Sequence, residues 1–380
     1  MIVGSFHDEA MRRFHLAAAD VGLEVQLVDR CSGVAEALSK SRPLAILLRM
    51  DAQGAAEACA QARSHARFGE VAIVGAATQR SDLEFTELFL WGADDLVAVA
   101  APHSVVKRLR ALSAQQAARP GPAPAPARAQ DALVAGADAA WRSVMGRALN
   151  NGGFVVRFEA SAEGVARQCL AESVRVVVAA DNLDGGGAMD ALQKARESGS
   201  KTPWILVVPP KKMASAYADA ATLGSVSVAD GYAPPENVLF IVNELLAPRN
   251  VDQRASPRLL YGTTVAFRAA GREEDEIGFS YNVSAGGVFV RTLAPPEFGQ
   301  DVWLEMWPPR SERRVRLEGV VAWRRAFGRG AGATVPPGFG VKLTEGLGKD
   351  MERWRSGCEL FAEGLLGVRR VSSSTIAVVK

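Results

Sequence analysis

The chain has almost no surplus charge, few cysteines and histidines, and no long apolar run. Its 44 Lys and Arg are nearly balanced by 42 Asp and Glu, a net charge of +2. That excess is too small for binding that rests on nucleic-acid phosphates. No apolar stretch reaches the roughly 18–20 residues that a membrane-spanning helix needs. The first residues, Met1-Ile2-Val3-Gly4-Ser5-Phe6-His7-Asp8-Glu9, lack a basic segment followed by an apolar one. A secretory leader is therefore not expected, and the chain reads as cytoplasmic. The four cysteines (Cys31, Cys59, Cys169, Cys358) form no CxxC pair, and the four histidines (His7, His15, His65, His103) form no HExxH or mixed His/Cys spacing. The thiols are expected to be buried small hydrophobes, and no metal site is expected. What the chain does have is 48% hydrophobic and 23% charged residues, the composition of a folded protein.

Residues Ala114 to Gln130 read AQQAARPGPAPAPARAQ. Alternating Pro and Ala removes backbone donors and fixes φ, which marks a linker. A softer boundary falls at Ala247–Asp252. The expected organisation is multidomain: 1–113, the linker 114–130, 131–247, 248–366, and a Ser-rich flexible tail, 367–380. The first two segments repeat one pattern. Short apolar runs (Ala45–Leu48, Val71–Val74 and Leu96–Ala100; then Ala132–Ala135, Val174–Ala179, Trp204–Val208 and Ser225–Ala229) alternate with helical stretches such as Ala188–Glu197 and Val238–Leu246. That rhythm predicts two consecutive five-stranded α/β domains with parallel sheets. In the third segment Val265/Phe267, Val302/Leu304/Met306, Val315/Leu317 and Phe339/Val341/Leu343 alternate as strands do, separated by Gly and Pro clusters. An antiparallel β-barrel is expected there, followed by a helix over about 349–366.

The string Gly92-Ala93-Asp94-Asp95-Leu96, with the element order around it, resembles the approach to the last strand of bacterial response-regulator receiver domains. The resemblance implies a flavodoxin-like fold for 1–113 and, more weakly, for 131–247. It also implies where phosphotransfer residues would stand. In the first copy Asp8 and Glu9 take the place of the metal-holding carboxylates, but the phosphoacceptor position falls on Arg49, with Asp51 available only if the strand end shifts. The Thr/Ser and Lys positions fall near Gly75 or Ala76 and on Val99. Loss of these groups removes the oxygen ligands and the cationic readout such chemistry needs. In the second copy Asp181 follows Val176-Val177-Val178-Ala179-Ala180, only Asp138 remains of the early carboxylates, and Val207 and Gly231 stand near the Thr and Lys positions. Asp181 is read as a strand-end residue capping a loop, with a phosphoacceptor role as the alternative. Both copies are expected to be pseudo-receivers that serve dimerisation or partner docking.

Two constellations open the third segment: Arg254-Ala255-Ser256-Pro257-Arg258, and Asn282-Val283-Ser284-Ala285-Gly286-Gly287. Arginine forks suit guanine edges and phosphate, and Asn and Ser supply short adaptable donors and acceptors. A glycine at Gly287 permits either a positive φ or a close backbone approach. Together the two resemble the RxxxR and (D/N)xSxxG signature of the PilZ domain over roughly residues 253–360. The resemblance implies a receptor for cyclic di-GMP held by Arg254, Arg258, Asn282, Ser284 and Gly287, with no catalytic residue and no cofactor. Motility, polarity and exopolysaccharide control are the family's usual outputs. A ligand-independent scaffold that binds an unidentified protein partner is the other reading, and a homodimer is left open. The acidic run Glu273-Glu274-Asp275-Glu276 is expected to be a solvated hairpin tip. Trp303, Trp307 and Trp323, with nearby arginines, are expected to be barrel core and outer face rather than a nucleic-acid platform.

Overall fold

The computed structural model describes residues 1–64, 71–78, 81–117, 130–170, 173–246, 256–328 and 335–371. The first apolar runs become β1 (Ile2–Val3), β2 (Leu27–Val28), β3 (Ala45–Arg49), β4 (Ala72–Ala77) and β5 (Asp95–Ala98). All pair in parallel in the order β2-β1-β3-β4-β5. The helices are α1 (Asp8–Asp20), α2 (Val34–Lys40), α3 (Ala55–Ser64), α4 (Asp82–Leu90) and α5 (Pro102–Ala117). Ser81 starts α4 with a capping box closed by Glu84, which satisfies donors the first turn would otherwise leave open. Helix α5 continues through the first four residues of the expected linker; residues 118–129 lie outside the described set.

The second copy repeats the plan with β6 (Gln130–Ala135), β7 (Phe154–Glu159), β8 (Val174–Ala180), a small hairpin of β9 (Asn182–Leu183) and β10 (Gly186–Gly187), β11 (Trp204–Val208) and β12 (Val226–Asp230). Its helices are α6 (Ala139–Asn151), α7 (Ala162–Gln168), α8 (Ala188–Glu197), α9 (Met213–Ala220) and α10 (Asn237–Leu246). The five-stranded sheet runs β7-β6-β8-β11-β12, parallel throughout. Both sheets therefore have the 2-1-3-4-5 order of flavodoxin-like folds.

After a two-residue strand, β13 (Leu259–Leu260), come β14 (Thr264–Ala269), β15 (Glu276–Ser284), β16 (Gly287–Arg291), β17 (Asp301–Met306), β18 (Val315–Arg325) and β19 (Gly338–Gly346). Antiparallel pairings run β14-β17-β18-β19-β16-β15 and back to β14, a closed six-stranded barrel. Closure leaves no free sheet edge. Alternation puts Val265, Phe267, Leu304, Leu317, Val321 and Phe339 inside, all buried, and Phe267 meets Phe339 edge-on at 5.0 Å. Trp303 is not core: it is 40% exposed, on the outer face beneath Arg268. The C-terminal helix, α11 (Asp350–Val371), runs past the expected start of the flexible tail.

The first sheet with its helices, the barrel, and the first turns of α11 form one compact unit; the second sheet with its helices forms another. Within the first unit, Glu273, Glu274 and Asp275 are exposed between β14 and β15 as expected, but Glu276, the last of the acidic run, departs from the solvated tip. Glu276 is 6% exposed and accepts from Arg108 Nη1 at 2.8 Å, while Lys107 reaches it at 2.8 Å and Glu274 at 3.1 Å. Arg108 is itself buried, and its Nε also donates to Asp95 at 2.8 Å. Asp95 accepts in addition from Leu293 N at 2.8 Å and from Thr292 Oγ1 at 3.2 Å. Beside this clasp Phe279 stacks on Phe85 at 5.1 Å and meets Phe89 at 5.7 Å, and Arg291 lies 3.4 Å over the Phe89 ring. At the start of α4, Asp82 accepts from Thr264 N and Thr264 Oγ1, both at 2.6 Å. A run of acids beside a hairpin looks solvated because nothing in local sequence indicates that two cations on a far earlier helix will cover it.

Burial pushes the Glu276 carboxyl up, but Arg108 and Lys107 outweigh it and hold it below its ordinary 4.5. A carboxyl depressed in the folded state adds stability above its unfolded value and loses it as pH falls through the folded one. The first unit should therefore keep its thermal midpoint from neutrality down to about pH 4.5 and lose stability below that. Arg108→Ala, which leaves the buried Asp95 without its cation and Glu276 with Lys107 alone, should cost about 3–5 kcal/mol in denaturant unfolding at neutral pH. Glu276→Gln should flatten the acid limb of the pH profile.

Candidate ligand-binding site

The NxSxxG segment folds as the tight corner between β15 and β16. Register pairs Asn282 with Phe289, Val283 with Val288 and Ser284 with Gly287. Val283 and Val288 point into the barrel, so Asn282, Ser284 and Gly287 share its outer face. A bulge between Ser280 and Asn282 changes the strand's alternation just before the motif and re-aims the motif side chains. Asn282 is buried and Ser284 half-buried.

Of the two uses sequence allows for Gly287, close approach is the one realised. The residue lies in β16 without a positive φ, and a Cβ there would stand 2.8 Å from the Val341 carbonyl oxygen of β19. The corner is pinned from below. Trp354, on the first turns of α11 and fully buried, donates Nε1–H to the Ser284 carbonyl at 3.0 Å, and Leu343 N bonds the Gly286 carbonyl at 3.0 Å. On the same outer face Phe289 stacks on Trp323 at 4.8 Å and meets Tyr281 edge-on at 6.1 Å. The Trp323 indole lies so close over Gly340 that a Cβ there would be 2.2 Å from Nε1. Motif spacing does not mark Trp354 or Trp323 as site residues; their indoles gain meaning only when α11 and β18 come beside the corner. Lys342, directly across from Gly287 on β19, is exposed and adds a cation to this face.

The RxxxR half is split. Arg254 lies outside the described residues. Arg258 is half-buried, just before β13.

The receiver-type positions hold structural contacts. Arg49 ends β3, and its Nε donates to Asp51 at 2.8 Å and its Nη1 to the Ser5 carbonyl at 3.0 Å. The guanidinium holds the Asp51 carboxyl below the usual carboxylate range. Glu9 turns instead to Arg12 and Arg13 of its own helix, so no carboxylate pair converges with Arg49. Asp94 accepts from the buried Arg63 and from Ile73 N, each at 2.8 Å, and Asp95 joins the clasp. In the second copy Asp138 caps α6 through Ala140 N and Trp141 N. Asp181 follows β8 and is paired with Lys212 Nζ at 2.6 Å. Its backbone bonds Val207 O and Ala188 N. Together with Ser215 and Asp219, among others, the pair lines a cavity of about 150 Å³. The cation here comes from the turn after β11 rather than from the position at Gly231; the Lys211-Lys212 doublet just past that strand was the available signal. Among the described residues no cluster of three or more His, Cys, Asp or Glu could hold a metal, and no helix is long and apolar enough to cross a membrane.

Residues 252–356 match the PilZ domain, a span containing both motif halves. No curated protein matches the chain. Among solved structures, the Bacillus subtilis inhibitor of motility (MotI/DgrA) is 20% identical over 31% of this chain and 56% of its own, with a TM-score of 0.24. The chain thus spans little more than half of that protein. The signal receiver domain of an HD domain-containing protein from Pseudomonas fluorescens Pf-5 is 15% identical over 31% of this chain and 88% of its own, TM-score 0.29. A putative two-component system response regulator/GGDEF domain protein is 17% identical over 64% of this chain and 96% of its own, TM-score 0.30.

Replacing Trp354 by Phe keeps the ring in the core but strands the Ser284 carbonyl. The expected cost is about 1–3 kcal/mol in denaturant unfolding. Gly287→Ala should destabilise the barrel as well, because the neighbour it meets is backbone and cannot swing away.

Proposed function

With a PilZ domain at 252–356 as the premise, we propose that the chain is a non-enzymatic cyclic di-GMP effector of the cytoplasm. The observation that carries this reading is a match spanning both motif halves together with a corner that presents Asn282, Ser284 and Gly287 on one pinned outer face. In this reading Arg254 and Arg258 grip guanine and phosphate. Asn282 and Ser284 bond the remaining polar edge, and Gly287 lets the ligand come close to the backbone. The two-arginine motif lies on the chain between α10 and the barrel, so occupancy acts on that connection and through it on the partner surfaces of the second receiver-like copy. That copy is the one we assign to partner docking or self-association, because in the first copy α4 and α5 are already engaged by the barrel.

Calorimetric titration of cyclic di-GMP into the full chain tests the reading. Saturable binding is expected, weakened by about 1–3 kcal/mol in Arg258→Ala and reduced in Ser284→Ala. A silent wild type whose barrel is shown to be folded overturns the reading and leaves the ligand-independent scaffold. Scattering profiles that superimpose with and without saturating nucleotide would overturn the action on the connection while leaving binding intact. Acetyl phosphate labelling that disappears in Asp181→Asn would instead support a response regulator.

A further inference from the structure

The first α/β layer contains a cavity of about 430 Å³, within the range of about 300–1,000 Å³ that small-molecule sites occupy. It lies between α1, α5 and the amino ends of β1, β3 and β4. That is the opposite end of the strands from Arg49 and Asp51. Its walls include Ile2, Phe14, Leu47, Val74, Val105 and Leu112. These same side chains are only 2–6% exposed and belong to one apolar cluster, so the floor of the cavity is core, while its mouth opens between the exposed Glu24 and Arg42. Protein interiors pack at crystal density with few voids larger than a water molecule. An apolar void of this size gives its walls no dispersion partners and offers water few hydrogen bonds. The rim is polar. Ser41 Oγ donates to Gln26 Oε1 at 2.7 Å, and Gln26 shares the rim with the exposed Arg42 and Glu24.

We infer that this cavity is a binding site for a small amphipathic molecule, an aliphatic chain ending in a hydrogen-bond acceptor of the monocarboxylate class. The chain fills the space between α1 and α5, and the head meets the Gln26 amide at the rim. Arg108 lines the same cavity while its guanidinium holds Asp95 and Glu276. An occupant therefore bears on the helix that clasps the barrel, and binding stabilises the whole first unit. Neither the site nor its test depends on cyclic di-GMP binding.

The test uses the full chain with decanoate below its micelle range, followed by calorimetry and by thermal unfolding. Saturable one-to-one binding with a raised unfolding midpoint is expected. Ala18→Leu and Leu112→Phe each place bulk in the cavity. Each should fold with an unchanged or higher midpoint without ligand and bind decanoate about tenfold or more weakly. Decylammonium, which has the same chain and no acceptor, should bind about tenfold more weakly than decanoate. Absence of saturable binding to the wild type, or undiminished binding in whichever variants fold, overturns the site. Equal affinity for decylammonium overturns the assignment of its head group.

Discussion

The guanidinium of Arg108 is the constraint on which the first unit depends. A fully buried cation is tolerable only where anions and acceptors meet it from several sides, and here they come from two different layers. Asp95 stands at the start of the last strand of its own sheet, and Glu276 opens the second strand of the barrel. Lys107 and Thr292 complete the arrangement, and Phe279 with Arg291 excludes water beside it. Of the Asp94-Asp95 pair leading into β5, Asp94 is held by the buried Arg63 and Asp95 joins the sheet to the barrel through Arg108.

β15 connects this joint to the candidate site. Its first residues, Glu276 and Phe279, face the α/β layer, and its last, Asn282 and Ser284, form the motif corner; the bulge falls between. Strand β16 repeats the arrangement in reverse, with Gly287 at the corner and Arg291 over Phe89. Two hydrogen-bonded strands thus carry both surfaces, with Trp354 fixing the corner through the Ser284 carbonyl.

Much of this was legible in sequence, for identifiable reasons. Runs such as Trp204–Val208 and Ala45–Leu48 are short, continuous and apolar because parallel strands are covered on both faces, and Ala188–Glu197 shows an amphipathic period that ends at its polar flank. The motif corner was legible because Asn, Ser and Gly recur at fixed spacing on a hairpin. What stayed hidden depends on distant pairing. Glu276 looks like one member of a surface acidic run until α5 brings Arg108 to it. Lys212 looks like a surface lysine until the turn after β11 brings it to Asp181. Trp354 is one apolar residue of an amphipathic helix until its indole meets the Ser284 carbonyl. Linker composition misled in one place, since Ala114, Gln115, Gln116 and Ala117 extend α5 before the prolines begin.

The joint has a consequence for what can be moved as a part. Homology draws the module at 252–356, but a segment cut there would carry Phe279 bare on its surface, with Arg291 deprived of its ring and Glu276 of its cations. Such a fragment would tend to self-associate through a face that the intact protein never shows. The smallest transplantable piece of this chain is therefore discontinuous: residues 1–117 must travel with the barrel, although more than a hundred residues of another layer lie between them in sequence.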